Sequence, residues 1–305
     1  MTGEASNPKV EDIMFRGTYT ALVTPFSGGQ IDEAALRRLI DEQVAAGVDG
    51  IVPCGSTGES ATLSHQEHER VIKISVEQAA GATKVIAGTG SNNTSEACRL
   101  TRAAADAGAD GALLISPYYN KPTQHGHVAH YKAVAESAGL PLIVYNIPGR
   151  TGVNITPETL AELACIPGIV GVKEASGSVD QWLRIFQLCP ADFCVLSGDD
   201  AVTLPLMAMG GHGVIGVVSN LVPQRLRALV DTCAAGDYAE ARKIHYRLLP
   251  LIQALFLETN PIGIKAALAM TGRIQDELRL PLTPLSAAPR QALRNVLMAQ
   301  GLVAA

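Results

Sequence analysis

Eight short apolar runs recur along the chain, each closed by polar or glycine-containing residues: TYTALVTPF (18–26), GIVPCG (50–55), KVIAGTG (84–90), GALLISPYY (111–119), PLIVYNIPG (141–149), IVGVKEAS (169–176), FCVLSGDD (193–200) and GVIGVVSN (213–220). Several are almost continuously apolar, the pattern of parallel strands buried on both faces. Between them lie stretches of helical period, such as 32–47 and 95–108. Two junctions look alike: AAGVDGIVPC (45–54) and DAGADGALLI (106–115) share A-G-x-D-G, with one glycine ending a helix and the next opening a strand. Eight such units predict an α/β fold, a (β/α)8 TIM barrel over 16–235, rather than an open doubly wound sheet. From Gly236 the strand signal stops. Helical patterns at 237–258, 261–272 and 288–301 predict a C-terminal all-helical extension over 236–305. The polar first fifteen residues read as a loose N-terminal tail, without the apolar segment of a signal peptide.

Composition narrows this picture. The 305 residues are 47% hydrophobic, 17% charged and only 4% aromatic, so a large aliphatic core is expected, not disorder. No apolar run approaches the ~20 residues of a membrane helix. A net charge of −5 gives no basic surface for nucleic acid. Six cysteines are scattered without C-x-x-C pairs, which reads as free thiols in a reducing cytoplasm.

Barrels of this kind work at the C-terminal ends of their strands. That rule selects CGSTGES, SPYYN, YNIPGRTG, VKEAS and LSGDD. Lys173 ends an otherwise apolar strand. Burial disfavours its cation and makes it a candidate neutral nucleophile for a carbonyl; the plainer reading is a rim lysine paired with Glu174. The GSTGES loop offers backbone amides and the hydroxyls of Ser56 and Thr57 to an anion, taken as lying at the start of a helix; a capped turn is the plainer reading. Tyr145 can move protons or simply fill the core. Arg150 suits a carboxylate or a surface ion pair. Glu174 is expected to face away from Lys173, toward the helices.

Other motifs carry less. GTGSNN (88–93) lacks the third glycine of a dinucleotide loop. HGHVAH (125–130) reads as surface histidines on a helix, and HQEHER (65–70) is not H-E-x-x-H, so no metal is expected. Asp199 and Asp200, adjacent on a strand, point opposite ways and do not share acid–base work.

Taken together, GSTGESATL, VIAGTGSNNTSEA, SPYYNKPTQ, YNIPGRTG, GVKEASG, LSGDD and ETNPI, in this order from about Gly17 to Leu302, resemble the dihydrodipicolinate synthase (4-hydroxy-tetrahydrodipicolinate synthase) family of the N-acetylneuraminate lyase superfamily. The resemblance implies a lyase that joins pyruvate to L-aspartate 4-semialdehyde in lysine biosynthesis, with no cofactor beyond an imine on Lys173. It implies Tyr145 as proton relay, linked through Thr57 to Tyr119 of a neighbouring subunit. Amides of Ser56 and Thr57 would hold the pyruvate carboxylate, Arg150 the semialdehyde carboxylate, and Gly198 and Ile215 would line the pyruvate pocket. A homotetramer built as a dimer of dimers is implied, as is inhibition by L-lysine at Ser60, Ala61, His65, His68, Asn92, Glu96 and Tyr118. One position departs from the pattern: Ser56 stands where the family more often has threonine, as in N-acetylneuraminate lyases. This leaves the choice of substrate open, so a class I aldolase acting on a sugar acid is a second reading; a barrel that binds small molecules without catalysis is a third.

Overall fold

A computed structural model describes residues 14–304. All eight predicted strands form. They are β1 (Gly17–Ala21), β4 (Gly50–Val52), β5 (Lys84–Gly88), β6 (Gly111–Ile115), β7 (Leu142–Asn146), β8 (Ile169–Glu174), β9 (Cys194–Ser197) and β10 (Gly213–Gly216). Every pairing is parallel, and β10 bonds back to β1, so the sheet closes into a TIM barrel. A hairpin of two-residue strands, β2 (Phe26–Ser27) and β3 (Gln30–Ile31), follows β1 and is too short to leave a periodic trace in the sequence.

The helices that wrap the barrel are α1 (Glu33–Ala46), α2 (His65–Ala79), α3 (Thr94–Asp106), α4 (Gln124–Ala138), α5 (Pro148–Thr151), α6 (Pro157–Ala164), α7 (Val179–Leu188), α8 (Thr203–Ala208) and α9 (Pro223–Ala234). Their ends have local causes. Asp32 accepts from the Ala35 amide to start α1, and Gly47 stops it in the left-handed region at φ 70°. Ser64 and Glu67 form a reciprocal capping box at the start of α2. The C-terminal extension comprises α10 (Tyr238–Leu255), α11 (Ile262–Met270) and α12 (Ala287–Ala299).

Two apolar clusters divide along the strands' alternation. Val144, Val172, Val195 and Val214 point outward into the shell shared with the helices, while Tyr19, Ile143, Tyr145, Leu196 and Ile215 fill the barrel interior. Phe15 closes the N-terminal end of that interior. It is 1% exposed and packs edge-on against Tyr19, and its carbonyl accepts from the Cys194 thiol. The tail expected over 1–15 therefore does not extend to Phe15; residues 1–13 lie outside the described residues.

Of the three HGHVAH histidines, His125 is exposed as expected and the other two are not. His127 and His130 are buried, not on the surface, and lie against Tyr131 on α4. Burial pushes the His130 imidazole down to about 4, so it sits in the core as a neutral ring. The six cysteines are free thiols, with Cys54, Cys194 and Cys233 buried and Cys165 exposed.

Candidate active site

Parallel pairing of β7 with β8 sets Tyr145 beside Lys173, and the next pair, Asn146 and Glu174, points the other way. Lys173 is 5% exposed, and its Nζ lies 4.3 Å from the centre of the Tyr145 ring. Leaving water costs the ammonium more than the amine. Burial therefore lowers the Lys173 pKa to about 8, with Asp200 opposing the shift and Arg150 adding to it. At pH 7 about a tenth of such an amine is unprotonated, against fewer than one in a thousand for a solvated lysine. Burial also holds the Tyr145 phenol above its ordinary range, so it carries its proton. Glu174 is wholly buried on the outer side, where it accepts from Asn146, Gln181 and the Ser176 amide. It does not pair with Lys173.

A cavity of about 60 Å³ opens above Lys173, walled by Ser56, Thr57, Tyr145, Arg150, Gly198, Val217 and Asn260. Ile215 is not in this wall; it sits among the apolar residues of the barrel interior. Gly198 leaves space that a side chain would take, since a Cβ there would stand 2.7 Å from Ala175 Cβ and 3.1 Å from Lys173 Cε.

In the GSTGES segment, residues 55–59 form turns that lead into a single 3-10 turn at Ser60–Thr62, so Ser56 and Thr57 do not lie at the start of an α-helix; α2 begins only at His65. The Gly58 amide donates to Gly55 O and the Glu59 amide to Ser56 O. Among the described residues no acceptor takes the N–H groups of Ser56 or Thr57, and both residues wall the cavity. The side chain of Thr57 accepts from Asn260 Nδ2 at 2.9 Å, so within one chain it is bonded to Asn260 and not to either tyrosine. Arg150 donates from Nη2 to the carbonyl of the same Asn260 at 2.8 Å. Tyr119 does not reach the cavity; it is 89% exposed, at φ 69°.

A larger cleft of about 550 Å³ adjoins this one and shares Ser56, Tyr145, Arg150 and Asn260 with it. Ser60, Ala61, His65, His68, Glu96 and Tyr118 line its far part. Asn92 is not in that lining; its carbonyl accepts from Asn120. Glu96 accepts from Ser91 and is 2.6 Å from His65 Nε2, and these bonds, Ser91 first, lower its pKa. His68 is 5% exposed, and burial lowers its pKa.

The sequence model of the dihydrodipicolinate synthetase family matches residues 14–300. The chain belongs to that family. A 4-hydroxy-tetrahydrodipicolinate synthase of Syntrophus aciditrophicus is 56% identical over 290 residues, which span 95% of this chain and all of the relative. Two solved structures of the family share the fold. The chloride-inhibited dihydrodipicolinate synthase of Acinetobacter baumannii, complexed with pyruvate, superposes with a TM-score of 0.93 at 43% identity, covering 94% of this chain and 99% of that one. The enzyme of Cyanidioschyzon merolae with lysine bound gives 0.92 at 43% identity, covering 95% and 99%.

Two groups of this family member were not assigned from its sequence. Asn260 lies in the ETNPI motif, yet its contacts with Thr57 and Arg150 span 203 and 110 positions. Lys265, wholly buried, forms an ion pair with buried Glu59 across 206 positions. Lys265 left only the trace of one charge set in the apolar run of α11, and Asn260 stands in the turn before that helix. Asp199 and Asp200 lie beyond the end of β9 rather than on a strand: Asp199 is exposed and accepts from the Ala201 amide, whereas Asp200 is buried and accepts from the Val217 and Val218 amides, so the two acids face different surroundings. Among the described residues no group of three or more His, Cys, Asp or Glu side chains could hold a metal ion, and no helix is long and apolar enough to cross a membrane.

Proposed function

We propose that this chain catalyses the condensation of pyruvate with L-aspartate 4-semialdehyde through an imine on Lys173. The observation that carries the reading is the buried amine of Lys173, lowered to about 8 and lying beneath a cavity that Tyr145, Arg150 and the unbonded amides of Ser56 and Thr57 share. The neutral amine attacks the pyruvate C2 carbonyl, and loss of water gives the imine. A proton then leaves C3 to form the enamine, with the Tyr145 hydroxyl beside it to carry protons. Enamine C3 attacks the aldehyde carbon. The amino group of the semialdehyde closes onto C2 and releases Lys173 as the free amine.

The amides of Ser56 and Thr57 suit the pyruvate carboxylate, and the Arg150 guanidinium suits the second carboxylate. Gly198 leaves room for the three-carbon acid. No cofactor enters this sequence of steps. Thr57 and the partner's copy of Tyr119 would complete the proton path on assembly. Exposed apolar side chains on α7, Val179 at 52% and Leu183 at 53%, suit a second contact of the homotetramer. The far part of the larger cleft suits L-lysine as inhibitor, its ammonium meeting Glu96. Six free thiols accord with a cytoplasmic setting.

The test is chemical. The protein is incubated with pyruvate, reduced with borohydride, digested and weighed; a pyruvyl adduct on the Lys173 peptide is expected. Turnover is then compared between aspartate semialdehyde and N-acetylneuraminate. An adduct at another lysine, or preference for the sugar acid, sinks the proposal.

A further inference from the structure

The loop that carries Ser56 and Thr57 is held by the C-terminal extension as well as by the barrel. Glu59, three residues beyond Ser56, is a non-glycine residue in the left-handed region, at φ 52°. Its backbone turns the chain from the Gly55–Gly58 turn into the Ser60–Thr62 helical turn. Side chains rarely adopt that conformation unless their surroundings impose it. Here the imposition is visible. Glu59 Oε1 accepts from Lys265 Nζ at 2.5 Å, and Oε2 accepts from the Arg279 amide at 3.1 Å.

Lys265 is itself fixed. Its Nζ donates to Thr24 O at 2.9 Å and stands 4.2 Å from the centre of the Phe26 ring. Thr24 in turn donates from its hydroxyl to Gly58 O at 2.7 Å. Both members of the pair are almost wholly buried, at 0% and 1% side-chain exposure. Burial pushes the Lys265 ammonium down, and Glu59 pulls it back up. A buried ion pair of this kind adds little stability over apolar side chains of the same volume, but it is directional. The path to the site is one hydrogen bond long, because the Glu59 amide donates to the Ser56 carbonyl at 3.2 Å.

We propose that the Glu59–Lys265 pair is a positioning device that aims the amides of Ser56 and Thr57 at the carboxylate of the keto acid. This rests on the reading of that loop as the pyruvate carboxylate site. The pair reaches the site through the backbone of the Ser56–Thr57 loop, so it governs how the acid is held. The loop also leads directly into Ser60 and Ala61 of the larger cleft, so the same pair fixes the segment common to both cavities.

The full chain is compared as wild type, E59Q, K265M and the double variant E59Q/K265M. Each single variant leaves one charge buried alone and melts lower, or fails to fold. The double variant leaves no lone charge and melts within a few degrees of wild type. Its KM for pyruvate rises about tenfold while kcat and the KM for the aldehyde change less than about threefold. A double variant with wild-type KM for pyruvate overturns the proposal, as does one in which kcat and both KM values worsen together. Borohydride trapping of the wild type separates the two levels: no adduct on Lys173 sinks the parent reading, whereas an adduct with unchanged KM in the double variant sinks only the positioning role.

Discussion

Tyr145 and Lys173 are register partners on adjacent parallel strands, and the lysine Nζ lies 4.3 Å from the centre of the phenol ring. The ring attracts an ammonium through its face, yet burial outweighs that attraction and the amine titrates near 8. The first prediction follows directly. Imine formation with pyruvate, followed in a single turnover, should rise with pH along a limb whose midpoint is near 8. A midpoint near 10 would mean that the amine is solvated when it reacts. Lys173→Ala should lower turnover by on the order of 10⁴-fold or more and abolish borohydride trapping.

The same lysine weakens the fold. Its pKa is about 8 folded and close to 10.5 unfolded. Between these values the unfolded chain binds more protons, so stability rises with pH across that window. Below pH 8 both states are protonated and the full penalty of about 3 kcal/mol is present. Lys173→Met should therefore raise the unfolding free energy at pH 7 by up to about that amount, with the advantage shrinking from pH 8 to pH 10.5. Urea unfolding at several pH values measures it, and a pH-independent difference would contradict the burial of the charge.

Gly198 sets the room above the lysine stem. The added methyl of Gly198→Ala would press on Ala175 Cβ at 2.7 Å and Lys173 Cε at 3.1 Å. Displacing the amine by a fraction of an ångström should cut kcat/KM for pyruvate by about tenfold to a hundredfold. Steady-state kinetics check this, and an unchanged value would show that the stem moves aside freely.

Asn260 joins Thr57 to Arg150. Truncation in Asn260→Ala removes the donor to the Thr57 hydroxyl and leaves that buried group unpaired, at about 1–3 kcal/mol. The expected loss in kcat/KM is about tenfold to a hundredfold. If Asn260→Ala turns over like wild type, the Thr57 hydroxyl needs no partner from the extension.

Inhibition by lysine should depend on Glu96. Loss of one charge-assisted bond in Glu96→Ala is expected to raise the half-inhibitory lysine concentration at least about tenfold, read as the ratio of activities with and without lysine. A wild type whose activity is flat up to millimolar lysine would remove the effector site altogether.

The barrel was legible because its strands are buried on both faces, so each leaves a dense apolar run, and because caps such as Asp32 and Gly47 mark helix ends locally. Lys173 and Tyr145 were legible for a related reason: a polar group ending an apolar run is conspicuous. The hairpin at Phe26–Ser27 and Gln30–Ile31 is too short to show a period. The burial of His127 and His130 depends on which face of α4 meets the barrel, and one polar-looking hexapeptide does not reveal that. Asn260, Lys265 and Glu59 were illegible in their roles because their partners lie a hundred or more positions away. Local pattern encodes elements; it does not encode which distant polar groups meet when those elements pack.

Tyr119 holds a large ring out in solvent on a backbone at φ 69°, a conformation that costs on the order of 1 kcal/mol or more and that closes a tight turn in which the Asn120 amide donates to Tyr118 O at 2.8 Å. If that ring finishes the proton path of another copy, a single chain is an incomplete catalyst. Specific activity then obeys mass action. It is constant in concentrated solution and falls on dilution through the dissociation constant of the pair, so the rate per chain reports how many neighbours each chain has.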